Sequence, residues 1–142
     1  MRYLHRADIP LLPDLIRKYI RVAYACNLPY RVELGRNVCF PHNGLGVVIH
    51  ADVRIGDECK IYQNVTVGGY GRELNTTPNG ASVPTIGNRV IIYAGAVEVG
   101  PIHIGDGAIV SANALVLKFV KPYTVVGGVP ARQLSALSDA ED

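Results

Sequence analysis

Val47-Val48-Ile49-His50-Ala51-Asp52-Val53-Arg54-Ile55-Gly56-Asp57-Glu58-Cys59-Lys60-Ile61-Tyr62-Gln63-Asn64-Val65-Thr66-Val67 advances in steps of six. Ile49, Ile55, Ile61 and Val67 share one frame, and Val53, Cys59 and Val65 follow the first three by four positions. After a gap the frame resumes at Ile86, Ile92, Ile104, Val110 and Val116, with small or aliphatic companions at Val90, Ala96, Ile102, Ala108, Ala114 and Val120. Glu98 breaks the frame where an aliphatic residue is expected. A period of six is neither helical nor alternating, and it predicts a solenoid of short parallel strands. Three hexads make a triangular coil of about eighteen residues. The aliphatic residue points inward, the small one fits the corner, and Gly, Asn and Asp serve turns that need positive φ. Ile55, Ile61, Ile92 and Ile104 should then be buried and stacked in a column.

The composition suits that fold. The chain has 142 residues, 49% of them hydrophobic, with two Phe and no Trp, so its core is aliphatic as a narrow coil requires. That length fits a single domain. A net charge of +2 gives no broad polybasic surface and argues against nucleic acid. No apolar run reaches the length of a membrane span, and Met1 to Arg6 does not open a secretory signal. Cys26, Cys39 and Cys59 form no metal or disulfide pattern, and Cys59 falls on a small interior position, which suggests a buried thiol and a cytoplasmic protein.

The single domain divides into segments. Residues 1–26 hold a short helix from residue 10 to about 25, with Leu12, Leu15, Ile16, Tyr19, Ile20 and Ala23 on one face. Residues 27–120 form the β-helix, interrupted by a polar, turn-rich loop at 70–84 that should project and serve function. Residues 121–142 form a C-terminal segment with a loose acidic tail.

Several stretches carry a resemblance: Gly46-Val47-Val48-Ile49-His50, Gln63-Asn64-Val65-Thr66-Val67-Gly68-Gly69, Ile92-Tyr93-Ala94-Gly95-Ala96 and Gly127-Gly128-Val129-Pro130-Ala131-Arg132. The chain resembles the hexapeptide-repeat acyltransferases, most of all the serine acetyltransferase group, over roughly residues 27–132. The resemblance implies a left-handed coil, a homotrimer with the CoA groove between neighbouring prisms, and acetyl transfer from acetyl-CoA, as co-substrate, to a small hydroxyl acceptor. The large helical domain that precedes the coil in that group is replaced here by about 25 residues. The reaction needs a base for the hydroxyl, and imidazole, with an unperturbed pKa of about 6.5, suits the task.

In the family the base sits in an Asp-His pair just before the Gly-Ile/Val-Val run. The matching stretch is Phe40-Pro41-His42-Asn43-Gly44-Leu45-Gly46-Val47. Read from the amino-terminal side, His42 matches the base; read from the other side, Asn43 does, because one extra residue sits in this hexad. His42 is favoured, since a bulge at a turn re-aims a side chain. Pro41 stands where the pair's Asp would be, and Asn27 falls where the family has the Asp that orients the base. An Asn oxygen accepts from an imidazole N–H without stabilising imidazolium as a carboxylate does. The family's second active-site histidine is Val83 here.

The same resemblance gives Gly69, Ala94 and Ala112 to the pantetheine wall, and Lys118, Lys121 and Arg132 to the CoA phosphates. Arg72 and Glu73 would reach the acceptor from the loop. His5 and His103 read as solvated, and His50 is second in line as base. Acetylation of a surface-polysaccharide sugar and a non-catalytic scaffold remain alternatives. A zinc enzyme would need three converging imidazoles, which the spacing does not offer, so no metal is expected.

Overall fold

The computed structural model of the chain describes residues 11–69 and 82–138. Short strands wind around a triangular prism. The first sheet stacks β1 (Glu33–Leu34), β3 (Arg54–Ile55), β6 (Thr85–Ile86) and β9 (His103–Ile104) in parallel. The second stacks β4 (Lys60–Ile61), β7 (Ile91–Ile92), β10 (Ile109–Val110) and β12 (Thr124–Gly127). The third stacks β2 (Val48–Ile49), β5 (Thr66–Gly68), β8 (Val97–Val99) and β11 (Leu115–Val116). Each strand is short because the chain must turn a corner every six residues.

Register carries the frame of six into three interior columns: Ile55, Ile86 and Ile104; Ile61, Ile92, Val110 and Val126; Ile49, Val67, Glu98 and Val116. Ile55, Ile61, Ile92 and Ile104 are all buried, but they occupy two columns. Consecutive hexads lie on consecutive faces, so a column collects every third hexad. Burying one such side chain stabilises by about 1.5–3 kcal/mol. Val53, Cys59, Val65, Val90, Ala96, Ala108 and Ala114 fill the corners. Burial pushes the Cys59 thiol up, and its Sγ donates to the Gly87 carbonyl at 3.0 Å.

Parallel pairing runs on to Val125 and Val126, past Val120. The coil is then closed by β13 (Arg132–Ala136), which folds back antiparallel on β12 and occupies the free edge of the second sheet. At the other end lies α1 (Leu12–Tyr24), with Pro13 in its first turn and Asp14 beside it, both suited to a helix start. Ile16 and Ile20 are half-buried, whereas Leu12, Leu15, Tyr19 and Ala23 on the same stripe are exposed. No helix among the described residues is long and apolar enough to cross a membrane.

The corner between the first and second sheets is a polar seam. Gly35, Gly56, Gly87 and Gly105 stack there, and a Cβ on Gly56 would meet the Gly87 carbonyl carbon and oxygen at 2.6 Å. The residue after each glycine binds the next coil. The Arg36 N–H donates to Asp57 Oδ1 at 2.7 Å, the Asp57 N–H to Asn88 Oδ1 at 2.9 Å, and the Asn88 N–H to Asp106 Oδ1 at 2.8 Å. The Arg36 guanidinium adds two bonds to Asp57 Oδ2 at 3.0 and 2.7 Å. The Arg36 backbone and side chain hold the Asp57 carboxyl below its ordinary range.

Candidate active site

The corner between the second and third sheets is built differently. Cys39 bridges to Lys60, and Val48 pairs with Thr66. Nine positions separate Cys39 from Val48 and six separate their partners, so this corner holds three extra residues, where the sequence reading expected one. The addition falls within the four-residue turn Pro41–Gly44. His42, Asn43 and Gly44 all have positive φ, at 56°, 58° and 67°. Single residues with positive φ, Asn64 and Asn113, occupy this corner in later coils, whereas here two non-glycine residues follow one another. Such a conformation costs about 1–3 kcal/mol per non-glycine residue and collects at functional sites.

This turn pushes His42 out of the regular path, and its side chain is exposed. Its ring lies 6.4 Å from the Tyr62 ring, and Tyr62 lies 5.1 Å from Tyr93 in the next coil. The three rings run down the outside of one corner. Tyr62 and Tyr93 follow the inward residues Ile61 and Ile92, and their shared offset in the hexad is the sequence signal for the pairing. Immediately after them come Gln63 and Ala94, then Ala112 one coil on. The Gly95 N–H donates to the Gln63 carbonyl at 3.1 Å and the Asn113 N–H to the Ala94 carbonyl at 2.9 Å, so these positions also form a file. Ala94 is half-buried and Ala112 exposed, which leaves a wall of small side chains beside the aromatic rings.

Residues 84–118 match the family described as bacterial transferase hexapeptide (six repeats). Over 132 residues the chain is 32% identical to the serine acetyltransferase of Helicobacter pylori, covering 93% of this chain and 74% of that one. This chain belongs to the serine acetyltransferase family. It spans about half the length of the first curated relatives it matches, 51% to 56%. Among solved structures, a serine acetyltransferase in complex with CoA superposes with a TM-score of 0.78 at 29% identity, covering 94% of this chain and 52% of that chain. Soybean serine acetyltransferase complexed with serine gives 0.79 at 33% identity, covering 94% and 52%. The fold is thus the left-handed parallel β-helix of the serine acetyltransferase family.

The remaining residues that the family resemblance singled out are scattered. Asn27 sits where the chain enters the coil: its N–H donates to the Val47 carbonyl at 2.8 Å and its carbonyl accepts from the Ile49 N–H at 3.0 Å. Among the described residues no hydrogen bond joins its side chain to His42. Gly69 is small for a second reason, because a Cβ there would meet the Ser82 carbonyl oxygen at 2.5 Å. Lys118 and Lys121 are exposed and line a cavity of about 210 Å³ with Val116, Phe119, Thr124 and Gln133, at the end of the coil. Arg132 is exposed at the start of β13.

The other histidines have local partners. His50 is exposed, and its Nδ1 accepts from the Asp52 N–H at 3.3 Å. His103 stacks on Phe119 at 6.0 Å. Val83, in the place of the family's second histidine, is buried in the core. Among the described residues no three His, Cys, Asp or Glu side chains converge as a metal site. His5, Arg72 and Glu73 lie outside the described residues, as does most of the 70–84 loop.

Proposed function

We propose that the chain transfers the acetyl group of acetyl-CoA to the hydroxyl of a small acceptor of the serine type, with His42 as base. The observation that carries this reading is that the exposed imidazole of His42 and the small-residue wall of Ala94 and Ala112 share one corner of the prism, in a chain of the serine acetyltransferase family. The thioester arm would lie along that wall, with Gly69 beside it and Lys118, Lys121 and Arg132 toward its phosphates. His42 takes the proton of the acceptor hydroxyl as the oxygen attacks the thioester carbonyl. The tetrahedral intermediate collapses, the carbon–sulfur bond breaks, and the proton passes to the departing thiolate. The products are an O-acetyl ester and free CoA.

The left-handed prism would act as a homotrimer. Outward positions on the first sheet are Glu33, Arg54, Thr85 and His103, all polar. Those on the other sheets are Lys60, Ile91, Ile109 and Val125, and Val48, Thr66, Val97 and Leu115. Two faces that are apolar except for Lys60 and Thr66, and one polar face, suit a prism with a neighbour on each of two sides. The free thiols of Cys26, Cys39 and Cys59 fit a reducing cytoplasm. A thiol-release assay with acetyl-CoA against serine, homoserine and a panel of sugars tests the reading. Release should be fastest with serine; release only with sugars would move the acceptor class, and none with any hydroxyl would leave a scaffold.

A further inference from the structure

Glu98 occupies an inward position of β8 and is completely buried. Its column is otherwise aliphatic, with Val67 and Val116 as its in-register neighbours in the coils before and after. The other inward residues of its own coil are Ile86 and Ile92, and the corners that flank it are filled by Ala96 and Ile102. Among the described residues no other group hydrogen-bonds either carboxyl oxygen; only the backbone N–H of Glu98 itself favours the charged form, against the larger effect of burial. Among the described residues no strand packed around it turns a charged or ionisable side chain inward, and the titratable groups buried elsewhere are the thiols of Cys26 and Cys59, both made harder to ionise by burial. A lone carboxylate in such a place costs several kcal/mol, so the group keeps its proton.

We propose that Glu98 makes the prism proton-dependent: protonated, it fills the third column as a neutral side chain, and ionisation opens the coil around β8. Burial pushes its carboxyl up to about 8, from 4.5 for an exposed glutamate. The folded pKa lies above the unfolded one. Its contribution is therefore fully present below about pH 4.5 and is lost as pH rises toward 8. The mildly alkaline edge of that window lies close to the pH of ordinary assays. The affected coil also carries Tyr93 and Ala94 on its outer side.

Denaturant unfolding of the whole chain at several pH values tests this, on the native chain and on Glu98→Gln and Glu98→Ile. One proton released on unfolding raises the unfolding constant about tenfold per pH unit. Relative to Glu98→Gln, the native chain should show that rise between about pH 5 and 8. The comparison cancels every other titrating group, Asp57 and the histidines included. Glu98→Ile, which matches its column neighbours, should behave as Glu98→Gln does and serves where the amide variant fails to fold. Amide exchange, corrected for its intrinsic pH dependence, should accelerate with pH in β8 and β11 of the native chain alone. A pH-independent ratio of unfolding constants between the native chain and both variants would overturn the proposal.

Discussion

Two of the three corners of the prism, the seam between the first and second sheets and the turn between the second and third, obey the same repeat and end differently. At the first, the backbone N–H after the glycine donates to a side-chain oxygen of the next coil, from Arg36 to Asp57, Asp57 to Asn88 and Asn88 to Asp106. Its polar groups satisfy one another and its glycines leave no space between coils. At the second, three added residues push His42 outward, and the side chains that follow are aromatic rings and alanines. A seam that uses its own hydrogen-bonding capacity holds the fold; a corner that leaves an imidazole and a small-residue wall unused is equipped to meet a ligand.

That contrast predicts separable effects. His42→Ala should lower turnover about 10²–10⁴-fold, as loss of a general base does, with little change in melting temperature or acetyl-CoA affinity. Single-turnover rates and equilibrium binding would measure the two sides; near-native turnover would make His50 the next base to test. Gly56→Ala should do the opposite. The added Cβ is forced against the Gly87 backbone, so the seam should lose about 1–3 kcal/mol by denaturant unfolding. Turnover well below the melting temperature should persist; loss of activity in a folded Gly56→Ala would show that the seam and the site are coupled.

The smallest effect sharpens the second corner alone. Ala94→Phe should weaken acetyl-CoA binding by about tenfold, the equivalent of about 1.4 kcal/mol, through obstruction of the wall. The side chain stands on the outer surface, so stability should hold. Calorimetric titration with acetyl-CoA measures it. Unchanged affinity would move the pantetheine arm away from this file.

Much of the fold was legible because the frame of six is local. Ile49, Ile55 and Ile61 announce inward positions whatever the coil around them does, and each is buried. Their grouping into columns was not, because it depends on three hexads closing one turn. The site was legible in part. His42 could be singled out beside a bulge, but its length follows only from pairing Cys39 with Lys60 and Val48 with Thr66. The exposed stripe on α1 also departs from what its periodicity suggests, since a helical pattern states which residues share a face and not what covers it.

The sequence by itself determined the period, the inward residues, the glycine and asparagine turns and the polar substitution at Glu98. Those properties follow from side-chain chemistry within a few residues. Tertiary structure alone decided that His42, Tyr62 and Tyr93 stand in one file, and that Glu98 has only Val67 and Val116 beside it in its column. Residues tens of positions apart become neighbours only when the coil closes. Whether a polar group is then satisfied, exposed or stranded is a property of that closure.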